Sequence, residues 1–160
     1  MPHPYDLMPL PEGGNLIFTP CPGTREEALE PALRDLQAAG AAAVITLMPE
    51  HELQENRVAG LPEICRQLGM AWLHFPVEDD AAPADAFEQQ WQQHAAALLG
   101  LLAAGKTIAV HCKGGSGRTG LMIGKLLMAR GATAAEAIAA VRVYRPRSFS
   151  IEAHRAYLGV

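Results

Sequence analysis

The chain has 160 residues, 49% of them hydrophobic and 19% charged, which excludes a disordered tail and suits one domain with a sizeable core. A formal net charge of -4 provides no general electrostatic footprint for nucleic acid or an anionic membrane, so any anion site has to be built locally. Three cysteines at unpatterned spacings and six scattered histidines argue against a disulfide framework and against a zinc or other metal site. A reducing cytoplasm is the natural setting for such a chain. The opening "MPHPYDLMPLPEGG" lacks a basic segment followed by an apolar block, so no secretory signal is expected. No run approaches the roughly 18 apolar residues of a membrane span, so no membrane insertion is expected either.

In chain order, residues 1–14 are rich in proline and glycine and read as an irregular N-terminal arm, with a single domain over 15–160. "NLIFTP" reads as a short strand. "TREEALEPALRDLQAAG" opens on a capping-box pattern, Thr24 with Glu27, and Pro31 predicts a break inside it. "AAAVITLM" is an apolar β run and "PEHELQEN" an acidic loop. "LPEICRQLG" predicts a helix with proline near its start, and "MAWLHFPV" a further strand. "EDDAAPAD" is a loop before a long helix from about Pro83 to Ala104. "TIAVH" is a buried strand, and "RTGLMIGKLLMAR" a helix that Gly131 ends. Thr133 and Glu136 form a second capping box for "TAAEAIAAVRVY", Arg145-Pro146 stops that helix, and a last one is expected over Ile151 to Leu158. Strands alternating with helices predict an α/β fold with a central, largely parallel sheet of four to five strands flanked by helices. In such folds ligands sit beyond the C-terminal ends of strands.

The stretch "TIAVHCKGGSGRTGLMIG" lies at such an end. Gly115, Gly117 and Gly120 spell G-x-G-x-x-G, but a dinucleotide site needs an opening βαβ unit with an acidic residue about 20 positions on. Only 40 residues follow Gly120, and the next acidic one, Glu136, caps a helix. The phosphate-loop pattern that needs Lys and Ser/Thr fails too, because Leu121-Met122 follow Gly120. A plain glycine-rich turn explains the glycines and leaves Cys112 and Arg118 unexplained. A phosphate cradle accounts for all of them. Backbone N–H groups across Lys113, Gly114, Gly115, Ser116, Gly117 and Arg118 can point inward as an anion nest at a helix N-terminus. The Arg118 fork can bind two equatorial oxygens. The same surroundings favour a thiolate at Cys112 beneath the phosphorus, which makes a phosphocysteine intermediate the natural chemistry. Thr119 can donate its hydroxyl to the sulfur. His111 either stiffens the loop or is a satisfied core histidine, and the two are compatible.

"HCKGGSGRTG" resembles the H-C-x-x-G-x-x-R-[ST]-G signature of cysteine-dependent tyrosine and dual-specificity phosphatases, met at His111, Cys112, Gly115, Arg118, Thr119 and Gly120. "ELQENRVAGLPEICRQLGMAWLHFPVEDDAAP" is similar to the matching segment of the kinase-associated phosphatase group of dual-specificity enzymes. Together the resemblance covers about Val44 to Leu158 and implies a tyrosine-phosphatase-like fold. It also implies an aspartate general acid on a loop before the long helix. The Pro-x-x-Asp spacing from Pro76 selects Asp79, with Asp80 as the alternative. The family often carries a glutamine near the C-terminus that positions water; "RPRSFSIEAHRAYL" has His154 there, either serving that purpose or facing solvent.

Other expectations concern the surroundings. Arg142, Arg145 and Arg147 form a basic cluster, read either as charge at a helix C-terminus or as a rim for an acidic phosphosubstrate. Glu50 and Glu52 are candidates to contact Arg118, though glutamates of this kind are usually solvated. Cys21, Cys65, Trp72 and Trp91 read as packing residues. The resemblance implies hydrolysis of protein phosphotyrosine, with phosphoserine and phosphothreonine also within reach of a shallow cleft. The alternatives are a phosphoinositide phosphatase, for which Lys113 speaks and Ser116 does not, and a phosphate-binding adaptor without turnover. No cofactor is expected, the partner is a phosphorylated protein, and the oligomeric state is left open.

Overall fold

The computed structural model describes residues 1–160 as seven helices packed on one five-stranded sheet. The strands are β1 (Asp6–Pro9), β2 (Asn15–Thr19), β3 (Ala41–Thr46), β4 (Ala71–His74) and β5 (Thr107–His111), in spatial order β1-β2-β5-β3-β4. Only the β1–β2 pair is antiparallel; β2, β5, β3 and β4 run parallel. The central strand β5 is buried at all five positions, as expected of a parallel strand covered on both faces.

Alternation along the strands sorts the core into two layers. Leu16, Phe18, Ile45, Ile108 and Val110 face α4 (Asp85–Ala103), α5 (Gly117–Ala129), α6 (Ala134–Tyr144) and α7 (Glu152–Leu158). Ile17, Val44 and Ala109 face the opposite layer, under α1 (Leu29–Ala38), α2 (Glu50–Glu55) and α3 (Leu61–Gln67). No helix is long and apolar enough to cross a membrane.

Four local expectations are corrected. The N-terminal arm is not irregular throughout, since Asp6–Pro9 pairs with Phe18–Asn15 as an edge strand. Pro9 closes this strand and Pro11 lies beyond its end, where an edge strand tolerates a missing donor. The acidic segment is helix α2, whose Leu53 is buried in the second layer. The Thr24 box does not form; Thr24 Oγ1 donates to the Cys21 carbonyl at 2.7 Å, and α1 begins at Leu29. Pro31 therefore falls in the first turn of α1, where its missing N–H costs nothing, and the helix does not break. The Thr133–Glu136 box is present with both of its hydrogen bonds.

Candidate active site

The chain leaves β5 at His111 and enters α5 at Gly117, so residues 112–116 form a loop at the C-terminal edge of the central strand. Its carbonyls are held from outside. His111 Nδ1 donates to the Cys112 carbonyl (3.0 Å), Cys21 N–H to Lys113 (3.0 Å), Arg145 Nε to Gly115 (3.0 Å) and Ser148 Oγ to Ser116 (2.8 Å). Across a trans peptide the carbonyl and the next N–H point opposite ways. Anchoring these four carbonyls outward turns the N–H groups of Lys113, Gly114, Ser116 and Gly117 toward the hollow of the loop. Gly115 has φ +83°, and a Cβ there would lie 2.7–2.8 Å from Thr19 and Pro20 backbone atoms, so the curve requires glycine. Gly120, one turn into α5, would carry its Cβ 2.8 Å from that of Ser148.

Cys112 lies at the base of the loop with 4% of its surface exposed. Its Sγ accepts hydrogen bonds from Gly115 N–H (3.3 Å) and Thr119 Oγ1 (3.2 Å), an arrangement that stabilises negative charge on sulfur. Arg118, 3% exposed, uses three of its five donors on the protein. Nη1 and Nη2 grip the Glu52 carboxylate at 2.8 Å each, and Nη1 also reaches the Val77 carbonyl at 2.9 Å. The Nε–H and the second Nη2–H are left on one edge, a fork for two anionic oxygens. Asp79 Oδ1 stands 3.6 Å from Nη2. These groups meet in a cleft of about 260 Å³ lined by Asp79, Asp80, Cys112, Lys113, Arg118 and His154, with Ile151 at its wall.

His111 resolves into one orientation. Its Nδ1 faces a carbonyl and must carry the proton, so Nε2 accepts from Thr46 Oγ1 at 2.7 Å. Thr46 in turn accepts from Trp72 Nε1 at 2.8 Å. Burial pushes the His111 imidazole down to about 4, which keeps this relay neutral. The stiffening role and the core histidine are thus the same residue, and Trp72 belongs to its support as well as to the core.

Most expected residues converge on the cleft, and some change character. Glu52 holds Arg118, whereas Glu50 is exposed. His154 does not face solvent; it is 1% exposed, and its Nε2 is 2.8 Å from the Ala81 carbonyl. Arg142 donates to the Ser148 and Phe149 carbonyls, and Arg145 joins Asp6 (2.6 Å) to the loop, so neither forms a substrate rim; Arg147 is exposed. Cys21 and Cys65 lie in the layer on the other face of the sheet from Cys112, and burial pushes both thiols up to about 12. No three His, Cys, Asp or Glu side chains gather as a metal cluster. Sequence reasoning missed the roles of Arg145 and Ser148, whose partners are distant in sequence, and of His51, which reaches Glu78 across 27 residues. The proline-flanked "RPRS" after a capped helix was the one signal for the first two.

Comparison with known proteins agrees with this geometry. A dual specificity protein phosphatase, CDC14B of Mus musculus, is 43% identical over 77 residues, 48% of this chain and 14% of its own length. The tyrosine-protein phosphatase cdcA of Emericella nidulans is 37% identical over 86 residues, 53% of this chain and again 14% of its own length. The chain therefore spans a small part of either relative. Among solved structures, kinase associated phosphatase with its catalytic-site cysteine substituted by serine superimposes with a TM-score of 0.87 at 20% identity, over 99% of this chain and 93% of that one. That likeness shows the fold, a tyrosine-phosphatase-like α/β sheet. Residues 22–132, from the turn after β2 through the whole phosphate loop and α5, match the family described as Tc-R-P, polymorphic toxin system, DSP-PTPase phosphatase, and the chain belongs to that family.

Proposed function

We propose that the protein is a phosphomonoesterase acting on phosphotyrosine in proteins, and on phosphoserine and phosphothreonine, through a phosphocysteine intermediate. One observation carries this reading. The inward amides and the free edge of Arg118 surround a buried sulfur that already accepts two hydrogen bonds. A phosphate dianion seated in the loop has its charge met by amide dipoles, the α5 N-terminus and the guanidinium.

In the first step the Cys112 thiolate attacks phosphorus. The S–P bond forms as the bond to the leaving oxygen breaks, and Asp79 gives its proton to that oxygen. In the second step Asp79 takes a proton from water as the water oxygen attacks phosphorus. The S–P bond breaks, inorganic phosphate leaves, and the thiolate returns to the hydrogen bonds from Thr119 and Gly115. The proximity of Asp79 to Arg118 supports it as the acid over Asp80, which occupies the strained third position of the same turn. All the donors needed for the phosphate charge come from the chain, so turnover in EDTA is expected.

A dual-specificity cleft is favoured because Ile151 is the only apolar wall residue besides Cys112, a modest grip for an aromatic ring. Three unbonded cysteines suit a reducing cytoplasm. The test is hydrolysis of phosphotyrosine and phosphoserine peptides in EDTA by wild type and Cys112→Ser. Release of phosphate by wild type and none by the variant is the expected result. Wild type that binds the phosphotyrosine peptide without turnover would make the protein an adaptor, and activity surviving Cys112→Ser would end the mechanism.

A further inference from the structure

The turn Glu78–Asp79–Asp80–Ala81 closes through Ala81 N–H to the Glu78 carbonyl at 3.1 Å, with Asp80 at a left-handed φ of 61°. No residue between Val77 and Phe87 is buried, and Asp79 is 75% exposed. The turn therefore has no core of its own to fix where Asp79 points. Two histidines from other elements hold its ends. His51 of α2 places Nε2 at 2.9 and 3.0 Å from the Glu78 carboxylate oxygens. His154 of α7 places Nε2 at 2.8 Å from the Ala81 carbonyl.

The two grips differ in kind. His51 and Glu78 are both exposed, and such pairs contribute little. His154 is buried, and because a carbonyl can only accept, its Nε2 carries the proton. Its Nδ1 is then a buried lone pair with no hydrogen-bond partner. Leaving a ring nitrogen in that state is unfavourable, and an apolar side chain would pack there without it. The bond to Ala81 is what the polar ring supplies. Burial holds the imidazole below its ordinary range against the opposing pull of the Ala81 carbonyl and Asp80, so the neutral form with Nε2–H prevails near neutral pH.

We propose that His154 is a positioning residue: its Nε2–H holds the Ala81 carbonyl and so keeps Asp79 beside Arg118 and above Cys112, while His51 steadies the other end of the turn through Glu78. This rests on the reading of Asp79 as general acid. A residue that acts through the acid has a signature that mere packing lacks. Its loss must matter more as the leaving group becomes more basic, because only a poor leaving group needs the proton.

The experiment measures kcat/KM for aryl phosphates of rising phenol basicity with wild type, His154→Phe, His154→Gln and Asp79→Asn. His154→Phe keeps a buried ring and removes the donor, and His154→Gln returns an N–H. The dependence on leaving group is a ratio between substrates, so it does not change if part of a variant is unfolded. The expected result is a loss for His154→Phe of about tenfold to a hundredfold with the most basic phenol, the scale of a misplaced catalytic group. With p-nitrophenyl phosphate the loss should be small, and His154→Gln should recover the wild-type dependence. A loss equal across all leaving groups, or none, overturns the proposal. So does an unchanged kcat/KM with slowed phosphocysteine hydrolysis, which would make His154 a water-orienting residue. Wild type inactive on every aryl phosphate would instead remove the hydrolase reading, and this inference with it.

Discussion

The loop proposed to hold phosphate and the Glu78–Ala81 turn proposed to carry the acid, the acid turn, face each other across one cleft and are built on opposite terms. The loop buries Cys112 and Gly115 and is held by hydrogen bonds from β5 and from the segments after β2 and α6, with a glycine at the one position no side chain fits. The acid turn has no buried residue and is held at its two ends by histidines from other elements. An anion site gains from donors fixed before the substrate arrives, since they need no reorganisation during reaction. An acid that must admit a substrate and then close on it gains from a hold that can be released. The division predicts that substitutions at the positions that anchor the loop reduce stability, whereas those in the turn reduce rate and spare the fold.

The largest effect should come from the turn. Asp79→Asn is expected to lower kcat/KM for a basic phenol leaving group by about 10²–10⁴-fold without moving the urea midpoint. Asp80→Asn should leave both nearly unchanged, because Asn accepts the left-handed conformation. If Asp80→Asn were the damaging variant, the acid would have to be reassigned. Gly115→Ala should act the other way round. Backbone strain and the contact with Thr19 and Pro20 are expected to cost roughly 3 kcal/mol, read as a lower urea midpoint.

The histidines sharpen the contrast by titrating with opposite signs. His111 has a folded-state value of about 4 against 6.5 unfolded, so its contribution is complete above pH 6.5 and is lost as pH falls toward 4. Over that window the difference corresponds to about 3 kcal/mol of stability, and His111→Asn should flatten that part of the curve. Ser148→Ala removes the donor to the Ser116 carbonyl and is expected to destabilise by about 1–3 kcal/mol. The smallest effect belongs to His51, which Glu55 and Glu78 hold above its ordinary value. Its grip is present below about pH 6.5 and lost as pH rises through the raised value. A rate difference between wild type and His51→Gln should therefore be seen at acid pH and vanish on the alkaline side. Equal behaviour at all pH values would remove His51 from the acid turn's support.

What could be read in the sequence follows the range of the interactions involved. Cys112, Arg118 and Thr119 lie within eight residues on one strand-loop-helix unit, so their spacing already implies a cradle. The parallel strands and the Thr133 cap were legible for the same reason. The strand Asp6–Pro9 was not, because four proline-flanked residues become a strand only by pairing with β2. Nor was α2, six mostly polar residues with one buried leucine, which is fixed by Leu53 in the core and Glu52 on Arg118. Arg145 shows its charge in the sequence but not its partners, Asp6 and Gly115, which are brought to it by the fold. His154 likewise could be placed at a family position, yet the Ala81 carbonyl lies 73 residues away.

The central claim, that Cys112 carries the phosphoryl group, can be tested most directly by acid-quenching Asp79→Asn protein during turnover of p-nitrophenyl phosphate and mapping the modification by mass spectrometry. This substrate needs little proton donation in the first step, whereas the second step lacks its base, so the intermediate should accumulate. The account predicts one phosphoryl group, on the peptide that contains Cys112. Steady turnover with that peptide unmodified, or with phosphate on another side chain, would contradict it.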